Sequence, residues 1–61
     1  MGNIIEQQYH TIRTNILKCS DGEYQKEEIM QEIKDFEANY EDTDYPKKLW
    51  DFYFMIVEKK V

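Results

Sequence analysis

Apolar residues recur along this chain at the spacing of a helix. Ile5, Tyr9, Ile12 and Ile16 are separated by 4, 3 and 4 positions, and Ile4 and Leu17 widen their stripe. Ile29, Ile33, Phe36 and Tyr40 repeat the pattern, with Met30 beside them. Such spacing stacks side chains on one helical face, and it lacks the strict alternation of a half-buried strand. The first stripe predicts a helix over about residues 3–18, with Asn3 as its N-cap. The second predicts a helix over about residues 21–40.

Between the stripes lies Cys19-Ser20-Asp21-Gly22-Glu23. Ser20 followed by Glu23 reads as a capping box, in which each side chain would satisfy a backbone N–H at the start of the second helix. On that reading Cys19 and Tyr24 flank the start as a hydrophobic staple. A second break, Glu41 to Pro46, precedes the most apolar part of the chain. Pro46 disfavours a helical conformation at Tyr45 and suits the first turn of a helix. Thr43 or Asp44 could cap a third helix starting there.

The third segment, about residues 46–60, holds Leu49, Trp50, Phe52, Tyr53, Phe54, Met55, Ile56 and Val57. As a helix it places Leu49, Tyr53 and Ile56 on one stripe and Trp50, Phe54 and Val57 on the next. Phe52 and Met55 fall on other sides. A helix this apolar all round is buried on several sides. Phe52 to Val57 also has high β-propensity, but a single strand would need a partner from another chain. The expected fold is all-α, a single three-helix domain with an aromatic-rich C-terminal helix. A homodimer could complete its core, because so short a chain leaves much of its surface exposed.

Composition narrows the supports available to 61 residues. Cys19 is the only cysteine, so no internal disulfide forms, and Cys19 with His10 falls short of a zinc ligand set. Cys19 reads as a small apolar plug and His10 as a surface or half-buried residue. Asp42-Thr43-Asp44 begins like a calcium loop but lacks the glycine and the closing glutamate. No metal, cofactor or catalytic residue is expected. No stretch reaches the roughly 20 apolar residues of a membrane span. A single thiol without a basic-then-apolar leader points to the cytoplasm.

Charge supplies the sharper signal. The net charge is −5. Residues 21–44 hold ten carboxylates against Lys26 and Lys34, a balance of −8, while both flanking windows are mildly positive. Glu28, Glu32 and Asp35 lie on one face of the second helix, and Asn39 and Asp42 continue the row. The net negative charge argues against direct nucleic-acid binding, which needs a basic surface. A carboxylate row can instead match a basic groove on another protein and speed association with it. Trp50, Tyr53 and Phe54 form a second candidate surface, since Trp and Tyr are over-represented at interface hot spots.

The resulting expectation is a small acidic protein-binding regulator or inhibitor, of bacterial or phage type by its Ile-, Lys-, Glu-, Tyr- and Asn-rich composition. It would mask a basic, nucleic-acid-binding surface of a larger protein. The alternatives are a structural or assembly subunit that self-associates through the aromatic helix, and an immunity or antitoxin-type neutralising protein. Glu28, Glu32, Asp35 and Asp42 would carry the acidic contact, and Trp50, Tyr53 and Phe54 the aromatic one.

Overall fold

The computed structural model describes residues 4–59 and contains three α-helices, with no strand among those residues. Helix α1 spans Ile4–Ser20, α2 spans Lys26–Asn39 and α3 spans Tyr45–Tyr53. A π-helical turn, Phe54–Glu58, continues α3. The chain runs up, down and up. Tyr9 packs on Tyr45 near the starts of α1 and α3, and the Arg13 guanidinium covers the Phe52 ring further along both. Lys26 at the start of α2 reaches Glu58 at the far end of the third segment. The Asn3 cap and Lys60 lie outside the described residues.

The core is built from the predicted stripes. Ile12, Ile16 and Cys19 of α1, Ile29, Ile33 and Phe36 of α2, and Leu49 and Tyr53 of α3 are buried in one cluster. Ile5, Tyr9, Tyr40, Trp50, Ile56 and Val57 pack around it half-buried. Cys19 is the apolar plug expected of it. The apolar run of the third segment is helical, as its stripes indicate, and Phe52 is half-buried beneath Arg13.

The link between α1 and α2 corrects the predicted capping box. Ser20 is still inside α1, and α2 starts only at Lys26, so Ser20 and Glu23 cap nothing there. The residues instead stop α1. The Glu23 N–H donates to the Lys18 carbonyl at 2.8 Å and the Gly22 N–H to the Cys19 carbonyl at 3.0 Å. These bonds form a Schellman motif, which takes up the last carbonyls of a helix and needs a residue of positive φ. Gly22 supplies it at φ +84°. The Cys19–Tyr24 staple is likewise absent as such, because its helix start lies elsewhere; each residue packs against the shared core. Gly22→Ala should destabilise the fold by about 1–2 kcal/mol, the cost of the left-handed conformation. A Cβ at this position meets nothing within 4 Å, so a larger loss in chemical denaturation would contradict the assignment.

Helix α2 therefore begins without a side-chain cap. Glu27 and Glu28 in its first turn complement the positive end of the helix dipole instead. The start of α3 also departs from expectation. Tyr45 is the first helical residue despite preceding Pro46, and the Asp44 side chain makes no capping bond although the residue sits at the N-cap. Thr43 caps nothing downstream. Its hydroxyl donates back to the Tyr40 carbonyl at 2.8 Å and closes the turn. Pro46 is buried in the first turn, where its missing N–H leaves no intrahelical bond unmade.

Candidate functional site

The acidic row of α2 divides into residues with different tasks. Glu28, Asp35 and Asp42 are exposed. Asp35 accepts a bond from the Gln31 amide at 2.9 Å on its own helix. Glu32 is half-buried and faces α1. Its Oε1 accepts from the Asn15 side-chain amide at 3.0 Å, and its Oε2 accepts from the Tyr24 hydroxyl. Both oxygens are thus taken by neutral donors from α1 and the α1–α2 link. Glu32 is a half-buried tie between these elements. Its position, three residues after buried Ile29 and four before buried Phe36, is the signal that separates it from Glu28 and Asp35.

Among the described residues the one ion pair joins Lys26 to Glu58, 3.5 Å apart. Lys26 is thereby drawn towards the third segment and away from the acids of α2. Glu27, Glu28, Asp35, Glu37, Glu41, Asp42 and Asp44 remain as exposed carboxylates along α2 and the link after it.

The aromatic candidates divide as well. Tyr53 is only 2% exposed and belongs to the core. Trp50 is half-buried and stacks on Phe54 with ring centroids 5.9 Å apart, and Phe54 is 40% exposed. Met55, next to Phe54 in the chain, is 53% exposed, although it shares neither apolar stripe of the third segment. Met30 and Leu17 are exposed on α2 and α1. Met30 lies one helical turn after Lys26, whose side chain meets Glu58, so it sits on the α3-facing flank of α2.

Three tyrosine hydroxyls are held by carboxylates. Tyr24 is pushed up to about 12, first by its bond to Glu32, then by burial and by the charges of Glu32 and Glu28. Burial, then Glu6, raises Tyr45, whose hydroxyl lies 3.3 Å from Glu6. Burial, then Glu58, raises Tyr53. Glu6 therefore meets Tyr45, while His10, one turn on, is exposed with its ring edge-on to Tyr9.

These shifts couple stability to alkaline pH. A tyrosine ionises near 10 when unfolded, so Tyr24 favours the fold fully below that pH, and the benefit is lost as pH rises towards about 12. Stability should fall across this window. Glu32→Gln should advance the Tyr24 transition in a tyrosinate absorbance titration; an unshifted titration would remove Glu32 as the cause.

No pocket is found among the described residues, and no three His, Cys, Asp or Glu side chains gather there as a metal site. No helix among them is long and apolar enough to cross a membrane. Comparisons with protein-family models, curated proteins and solved structures find no match to this chain.

Proposed function

We propose that this chain is a non-catalytic, cytoplasmic protein-binding regulator or inhibitor that docks an acidic face onto a basic surface of a larger protein. The observation that carries this reading is the run of exposed carboxylates on α2 and its following link, Glu28, Asp35 and Asp42 among them, with Lys26 engaged elsewhere. A basic surface that ordinarily holds nucleic acid is the natural complement, because such surfaces are built to receive rows of negative charge. A bacterial or phage inhibitor and an immunity or antitoxin-type protein share this logic.

A second reading is supported by the Trp50–Phe54 stack and the exposed Met55. There the chain is a self-associating assembly subunit that pairs through its aromatic segment while the acids confer solubility. Salt separates the two. Affinity capture from a lysate of the encoding organism, repeated at rising ionic strength, should lose its partner if the acidic face binds, since exposed charges are screened. Retention at high salt supports the aromatic surface and counts against the acidic one.

A further inference from the structure

We propose that Phe54–Glu58 is a two-register element, a π turn held by Glu58 that converts to ordinary α-helix when Glu58 is released. A π turn is rare, because its wider ring packs the backbone less well than an α-helix does. Here it ends at Lys59, a non-glycine residue in the left-handed region at φ 56°, whose N–H donates to the Phe54 carbonyl. Both features cost energy, so the arrangement needs compensation from side chains.

Glu58 provides that compensation. Its carboxylate accepts from the Tyr53 hydroxyl at 3.3 Å and pairs with Lys26 of α2 at 3.5 Å. In an α-helix a residue five positions on points roughly 140° away from the first. The wider π turn brings it back above its partner, which is how Glu58 reaches the hydroxyl of Tyr53. In the α register Glu58 swings away from α2, both contacts break and Lys59 can leave its strained conformation.

The two registers present different surfaces. Conversion rotates Met55, Ile56 and Val57 about the axis of α3, directly after the Trp50–Phe54 stack. Met55 is exposed in the π register, whereas Ile56 and Val57 are half-buried. A ligand that captured either Glu58 or Lys26 would therefore remodel the apolar surface beside them.

Nuclear magnetic resonance tests the element without any partner. The intact chain should show contacts between residues five apart across Phe54–Lys59, with a positive φ at Lys59. Glu58→Gln and Lys26→Met should each move the register ratio towards four-apart contacts by about threefold, the scale of a partly exposed ion pair. Lys59→Gly should move it the other way. Predominantly four-apart contacts in the unsubstituted chain would overturn the proposal. So would an unchanged ratio in both Glu58→Gln and Lys26→Met, or loss of all helical contacts in the segment, because no second register would then exist.

Discussion

Leu49→Ala should leave the chain largely unfolded in water. Leu49 is fully buried in the cluster that also holds the buried isoleucines of α1 and α2. Removing a buried leucine side chain costs about 2–5 kcal/mol, the lost transfer energy plus the cavity left behind. A core of this size supplies only about 3–5 kcal/mol in total. The single substitution thus consumes most or all of the stability, with no disulfide to hold the remainder because Cys19 stands alone. Circular dichroism with urea titration measures it. A cooperative transition within about 1 kcal/mol of the parent, an order set by ordinary surface substitutions, would mean that Leu49 does not contribute to the core as its burial indicates.

The second large effect concerns binding. If the acidic face binds a partner as proposed, Glu28→Lys combined with Asp35→Lys should slow association by about tenfold or more, the scale on which steering by surface charge acts. The fold should change by less than about 1 kcal/mol, because relief of the repulsion that both acids exert on Glu32 offsets the loss of Glu28 from the first turn of α2, where it complements the helix dipole. Glu32→Lys should behave in the opposite way. It strands the Asn15 amide and the Tyr24 hydroxyl, and should cost about 1–3 kcal/mol of stability. Association kinetics and denaturation of the same variants separate the two roles. Equal loss of binding and of stability in both would show that the row acts as one structural unit.

The unequal roles within one acidic row show how far periodicity and charge carry a sequence reading. The stripes of Ile12–Ile16, Ile29–Ile33–Phe36 and Leu49–Tyr53 are legible because burial follows helical periodicity directly. The local punctuation is less so. Ser20 and Glu23 fit a capping box, but Gly22 between them fits a Schellman stop, and only the reach of α1 decides which motif operates. Glu32 looks like its neighbours when residues are sorted by charge, and its half-buried flank position becomes visible only when the phase of the helix is set by its buried residues. Tyr53 stands out for its aromatic chemistry, although its place one turn after Leu49 puts it in the core. The π turn leaves no trace in the sequence, since Phe54 to Val57 is uniformly apolar and Glu58 pairs with Lys26, a residue distant along the chain.

If exposed carboxylates, rather than the aromatic stack, meet the partner, one comparison tests it most directly. It is capture from lysate with the parent chain, the Glu28→Lys/Asp35→Lys variant and a Trp50→Ala/Phe54→Ala variant, side by side and each checked for folding. The expected result is a protein retained by the parent and the aromatic variant and lost by the charge-reversed one. Retention by the charge-reversed variant together with loss by the aromatic variant would contradict it.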